Sequence, residues 1–113
     1  MNTTTFGVPC GNLKKVWRVD MPCTSEAQCF ALAVGAFLAG KHPHIQIQNS
    51  GLGAATDILT SLYIPYGIPF PTMDLGYRHL PAHHSYMGEI TLDLLKLLKY
   101  PMDKVTLHER EGK

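Results

Sequence analysis

Strands that alternate with helices along the chain predict an α/β fold: a doubly wound, mainly parallel sheet with helices on both faces. Three observations carry that expectation. Short alternating or apolar stretches, such as His44-Ile45-Gln46-Ile47-Gln48, recur between longer helical ones. A glycine-containing run, Gln48-Asn49-Ser50-Gly51-Leu52-Gly53, stands where such a strand hands over to a helix. The 113 residues, 45% hydrophobic and 17% charged, have a globular balance, with length for one small domain and one core.

In chain order, residues 5–9 form an apolar strand candidate, 11–16 a brief helix and 17–22 a second strand. Ser25 or Thr24 can cap a helix that runs to about Ala39, with Glu26 in its first turn and Gly40 at its end. Residues 44–48 alternate as a strand does, and 49–53 read as a loop that breaks it. A helix over 54–62 follows. Residues 68–75 read as a strand, weakened at its start by Pro69 and Pro71. Thr91 can cap a helix through Leu98, and 105–108 suit a last strand.

The helix after Glu26 has no polar face beyond Gln28, and a helix apolar all round is expected to be buried all round. Phe30, Val34, Phe37 and Leu38 are predicted to pack on the chain's own sheet. The small face, Ala33, Gly35 and Ala36, is then predicted to meet another subunit.

Bulk properties exclude several classes. A net charge of +1 leaves no electrostatic footprint for nucleic acid or a membrane surface. No apolar stretch reaches the roughly 18 residues that a membrane span requires. The polar start, Met1-Asn2-Thr3-Thr4-Thr5, has no apolar export signal, so a cytoplasmic chain is expected. Cys10, Cys23 and Cys29 form no CxxC pair and are expected as free thiols.

Three constellations are candidates for chemistry. The run 48–53 follows a predicted parallel strand, where open α/β sheets place ligands. It is neither GxGxxG nor GxxxxGK[ST], so spacing leaves a phosphate loop and a plain turn both open. Glu26, an acid ahead of an apolar helix, reads locally as a first-turn carboxylate. His79, His83 and His84 cluster near Arg78 as a basic, titratable stretch. Neither they nor His42 and His44 come with a carboxylate or cysteine at ligand spacing, so no metal site is expected.

Taken together, these segments resemble a known family. Gly7-Val8-Pro9-Cys10, Ser25-Glu26-Ala27, Gly35-Ala36-Phe37-Leu38-Ala39-Gly40-Lys41, Gln48 to Gly53, Leu59-Thr60-Ser61-Leu62, Tyr66-Gly67-Ile68-Pro69 and Gly76-Tyr77-Arg78 are similar, in order and spacing, to the pyrimidine-binding half of the phosphonopyruvate and sulfopyruvate decarboxylases. The resemblance covers about residues 6–100. It implies the thiamine-diphosphate-binding fold, pyrimidine-domain type, over the single domain 1–113. It places Glu26 on the family's acid, which hydrogen-bonds N1′ of the cofactor's aminopyrimidine and so promotes loss of the proton at thiazolium C2. It also implies that Gln48, Asn49, Ser50, Gly51 and Leu52 line the cofactor. The family decarboxylates 2-oxo acids, the cofactor ring taking up the electrons that CO₂ leaves behind.

The family's Gly-Asp-Gly segment, which holds the diphosphate and Mg²⁺, has no counterpart in this chain. The resemblance therefore implies a separate diphosphate-binding (beta) subunit, in a heterodimer or heterotetramer with the site between the chains, and no metal ligand here. The sequence departs from the family after Arg78. His79-Leu80-Pro81-Ala82-His83-His84 stands where Asp-Glu-Pro-Gln-His is common, and the pair is similar to that of pyruvate decarboxylase-type enzymes. The resemblance makes His83 and His84 catalytic candidates, with Arg78 and His84 as substrate-binding ones. The expected activity is that of the alpha subunit of a split 2-oxo acid decarboxylase. The alternatives are a carboligase or two-carbon transferase subunit, and a structural or regulatory subunit that kept the fold and lost the site.

Overall fold

The computed structural model describes residues 2–78 and 82–109. His79, part of the histidine cluster, lies outside the described residues, as do Leu80 and Pro81. Five parallel strands form one sheet in the order β2-β1-β3-β4-β5: β1 (Thr3–Gly7), β2 (Met21–Pro22), β3 (His42–Gln48), β4 (Thr72–Tyr77) and β5 (Val105–Glu109). The helices are α1 (Glu26–Leu38), α2 (Asn49–Ala54), α3 (Thr56–Ile58) and α4 (Ala82–Leu97). The chain leaves β1 toward β2 and then winds the other way through β3, β4 and β5. Parallel crossovers are right-handed, so the two directions of travel put their connections on opposite faces.

That rule explains the two unequal faces of the sheet. The rightward connections carry the helices, and their side of the sheet holds the core. Phe6, Ile45, Ile47, Met73 and Leu75 point into it from the strands and meet Phe30, Leu59 and Leu95 of the helical layer. An aromatic chain crosses this core, Phe30–Tyr63–Phe70–Tyr100, with ring centroids 5.9, 5.6 and 4.6 Å apart. Burial of two phenols is tolerable because each donates: Tyr63 Oη to the Phe30 carbonyl and Tyr100 Oη to the Pro71 carbonyl, both at 2.6 Å.

The single leftward connection, from β1 to β2, covers the other face with only a 3₁₀ turn (Gly11–Leu13) and an extended return. So thin a cover leaves that face polar. The alternation of His44, Gln46 and Gln48 with Ile45 and Ile47 matches it: isoleucines to the helices, polar groups to the thin side. At its centre Asp74 accepts from His44 Nε2 and His108 Nε2, both at 2.8 Å, and from Gln46 Nε2 at 2.9 Å.

Several elements depart from the sequence reading. The 49–53 stretch is not a loop; α2 starts at Asn49, directly off β3. Its glycines adopt ordinary helical angles, whereas Gly40 and Gly67 take the left-handed turns, at φ 82° and 65°. The strand expected over 68–75 pairs only from Thr72, since Pro69 and Pro71 cannot donate to a ladder. β2 is two residues rather than six. Thr91 caps nothing: α4 begins at Ala82, and Thr91 lies buried in its middle.

The packing expected for α1 is also corrected. Cys29, Phe30 and Ala33 are the buried stripe, while Phe37 is 40% and Leu38 76% exposed. At about 100° per residue, positions 29, 30 and 33 share a face that excludes 31, 35 and 38. Phe37, in the last turn, instead flanks a hollow lined also by Pro43 and Phe70. The helix therefore shows an apolar outer stripe, Ala31, Gly35 and Leu38.

Burial acts to raise the Asp74 carboxyl, but hydrogen bonds from Gln46, His44 and His108, with the charge of His44, outweigh it and hold it below the usual aspartate value. A carboxyl lowered on folding contributes stability above its unfolded value and loses it as pH falls through the folded one. Asp74→Asn is therefore expected to destabilise the fold at neutral pH. The gap from the parent should close as pH drops below the ordinary aspartate range, which urea unfolding in the two regimes checks.

Candidate functional site

The strand order reverses between β1 and β3, and in open α/β sheets the crevice at the carboxyl ends of such strands is the ligand position. Four segments converge there: Val8–Cys10 after β1, the start of α1 after β2, the start of α2 after β3, and Arg78 after β4.

Glu26 is aimed by a cap. Ser25 Oγ accepts from the Gln28 backbone N–H at 3.2 Å, while Gln28 Oε1 accepts from the Thr24 N–H at 2.8 Å and its hydroxyl at 3.0 Å. With both chain and first turn held, the half-buried Glu26 side chain lies flat on Gly51. A Cβ at Gly51 would stand 2.7 Å from Glu26 Cδ and 2.8 Å from Oε2. That glycine thus serves close approach rather than a turn. The carboxylate accepts no hydrogen bond from any of the described residues. Two sequence-predicted site positions are thereby brought into contact, with acceptor capacity to spare.

The other residues of the run divide by depth. Gln48 is half-buried, and its amide is a hub. Its Oε1 accepts from Cys10 Sγ at 3.6 Å and from Arg78 Nη1 at 3.4 Å, and its Nε2 donates to the exposed Ser50 Oγ at 2.8 Å. Asn49 is wholly buried and structural. Its Nδ2 donates to the Arg78 carbonyl and to Thr91 Oγ1, both at 2.9 Å, and its Oδ1 accepts from the Arg78 N–H at 3.1 Å. It therefore sets where Arg78 leaves the sheet. Leu52 is wholly buried in the core, so any contact it makes in the crevice is through its backbone.

His83 and His84 open α4, with ring centroids 4.1 Å apart. Slight burial, then the charges of His83 and Arg78, push the His84 ring down, which favours its neutral form. Among the described residues no hydrogen bond or ion pair joins either histidine to Glu26. No group of three or more His, Cys, Asp or Glu among the described residues is arranged to hold a metal ion.

Cys10 is a free thiol, as expected. It is part of the Gln48 hub, seated against β4 where a Cβ on Gly76 would stand 2.7 Å from its sulfur. The available signal was the Gly7-Val8-Pro9-Cys10 turn and the glycine at 76. Cys29 lies under Glu26's turn; burial, then Cys23, push its thiol up, so it stays protonated.

Two substitutions separate position from contact. Asn49→Ala strands the Arg78 N–H and is expected to cost about 1–3 kcal/mol in urea unfolding. Gly51→Ala is expected to change stability by no more than about 1 kcal/mol, because the helix-propensity gain offsets a clash that a glutamate side chain can relieve by moving. A structure of that variant should show Glu26 displaced.

No protein-family model matches the chain. The sulfopyruvate decarboxylase alpha subunit of Methanothermobacter thermautotrophicus is 38% identical, over 83% of this chain and 64% of the relative. That of Methanocaldococcus jannaschii is 39% identical, over 55% and 41%. The phosphonopyruvate decarboxylase of Streptomyces viridochromogenes is 39% identical, over 84% and 27%. The chain thus spans under two thirds of the length of these relatives. It is a homologue of the sulfopyruvate decarboxylase alpha subunits and phosphonopyruvate decarboxylases, aligned with both over most of its own length.

Proposed function

We propose that this chain is the pyrimidine-binding, alpha-type part of a thiamine-diphosphate-dependent decarboxylase of small 2-oxo acids, with Glu26 as the activating carboxylate. One observation carries the reading: a half-buried carboxylate, seated on the only residue type that admits it, with no donor among the described residues. Such a group is preorganised to accept a hydrogen bond from a ligand. The donor set fits an aminopyrimidine. Glu26 would hold a proton against ring N1′, the exposed Ser50 and the backbone of Gly51 and Leu52 would line the ring, and Gln48 would fix Ser50. When bound, the cofactor supplies a nucleophilic thiazolium carbon and a ring that accepts the electrons left by CO₂.

Arg78 and His84 would face the oxo acid. A neutral His84 beside a guanidinium can hand on a proton while Arg78 holds a carboxylate. His83, its ring tilted against that of His84 with centroids 4.1 Å apart, would favour the neutral form of that ring. The diphosphate and Mg²⁺ would be held by a beta-type partner in a cytoplasmic heteromer. The names of the alpha-subunit relatives support that expectation, as does the apolar outer stripe of α1, Ala31, Gly35 and Leu38. No described helix is long and apolar enough to cross a membrane.

The test is Glu26→Gln, which keeps the shape and removes the proton-holding oxygen. With the partner co-expressed, the variant is expected to assemble as the parent does and to lose about 10²-fold or more in 2-oxo acid turnover. Near-parental turnover would overturn the assigned role.

A further inference from the structure

The end of the sheet away from Glu26 holds a cleft of about 460 Å³, where β3, β4 and β5 begin. Its size suits a small ligand. The walls are apolar and stiff: Phe37 in the last turn of α1, Pro43 in β3, and Pro69, Phe70 and Pro71 ahead of β4. Three hydrogen bonds fix the wall of residues 70–72. Lys104 Nζ donates to the Phe70 carbonyl at 2.8 Å, Tyr100 Oη donates to the Pro71 carbonyl at 2.6 Å, and Thr72 Oγ1 shares a hydrogen bond with His44 Nδ1 at 2.7 Å. The Phe70 ring is also backed by Tyr100, with centroids 4.6 Å apart. Walls held in this way lose little freedom when a ligand enters.

Lys41 and Lys104 also line the cleft, and among the described residues no aspartate or glutamate does. Lys104 is half-buried and gives one N–H to Phe70, which leaves two. Neither lysine makes an ion pair among the described residues, and Asp103, next to Lys104 in sequence, makes none either. A half-buried ammonium without a counter-anion is poorly compensated. Its pull on an incoming anion is stronger where apolar walls displace water.

We infer that this cleft binds a small carboxylate with an aromatic body, its ring packed on the phenylalanine and proline walls and its carboxylate on Lys104 and Lys41. Flat walls of this kind favour a flat apolar body, and the uncompensated ammonium favours the charge. The site is separate from the crevice. Glu26, Gln48 and Arg78 stand at the carboxyl ends of the strands, and the seven residues of β3, roughly 20 Å of strand, lie between. Helix α1 nonetheless reaches both, with Glu26 in its first turn and Phe37 in its last. A ligand here would touch the helix that carries Glu26 without competing for the crevice. The assignment does not draw on the decarboxylase reading.

The isotope-labelled full chain is titrated with phenylacetate while its amide resonances are followed by NMR. Phenylacetamide supplies the ring without the charge, and acetate the charge without the ring. Saturable shifts are expected with phenylacetate at Gly40, Lys41, Phe70 and Thr72 and not at Gly51 or Arg78, and neither control should saturate over the same range. Lys104→Gln, which can still donate to the Phe70 carbonyl, should weaken binding about tenfold. Lys41→Ala, a change at an exposed side chain, should weaken it too and guards against a folding defect in the first variant. Glu26→Gln, the variant that tests the decarboxylase reading, should bind phenylacetate as the parent does. No saturable shift in the parent, an equal response to phenylacetamide, parental affinity in both lysine variants, or shifts centred on Gly51 would overturn the assignment.

Discussion

The first turn of α1 and the first turn of α2 touch through Glu26 and Gly51, and the candidate site depends on that contact. A carboxylate can lie against a helix backbone only where no Cβ intervenes. The approach also dictates the elements around it. α2 must start straight off β3 to present Gly51, and α1 must be capped tightly enough, by Ser25 and Gln28, to hold Glu26 in place. What results is an acceptor without a donor among the described residues, half-shielded from water, at the point where the strand order reverses.

Behind this contact stands a frame of buried amides. Asn49 binds the backbone of Arg78 on one side and Thr91 on the other, and so ties the ends of β3 and β4 to the middle of α4. Gln48, one residue before it, points to the opposite face of the sheet and gathers Cys10, Arg78 and Ser50. The hand-over from strand to helix thus divides labour between neighbours. One amide is sealed in the core and sets geometry, and the other lines the crevice and is open to a ligand. The thin side of the sheet follows from the same winding that makes the crevice. Only one connection runs leftward, so Asp74 and its two histidines are left under a 3₁₀ turn rather than a helix.

Much of this was legible in the sequence, and the misreadings have physical causes. The alternation of His44 to Gln48 is a property of neighbouring residues, so β3 and its faces could be read directly. Ser25 and Gln28 are a local cap, so the start of α1 was readable too. The run 49–53 was misread because glycine signals either a turn or a close approach, and only the position of Glu26, far away in sequence, decides between them. Thr91 was misread as a cap because its partner, Asn49, is equally remote. Phe37 and Leu38 of α1 were misread as packing on the chain's own sheet because composition says how apolar a helix is, not how wide a sheet lies beneath it.

By itself the sequence determined the α/β class, the strand that ends in the Gln48 run, the acid at the head of α1 and a kinship to 2-oxo acid decarboxylases. Those are matters of local pattern and of motif order. Only the tertiary structure decided that Glu26 rests on Gly51, that Asn49 is frame rather than lining, and that Cys10 and Arg78 meet at Gln48. Each is a meeting of residues brought together by parallel pairing and right-handed winding. Distances of that kind are set by the whole sheet and not by any one segment of it.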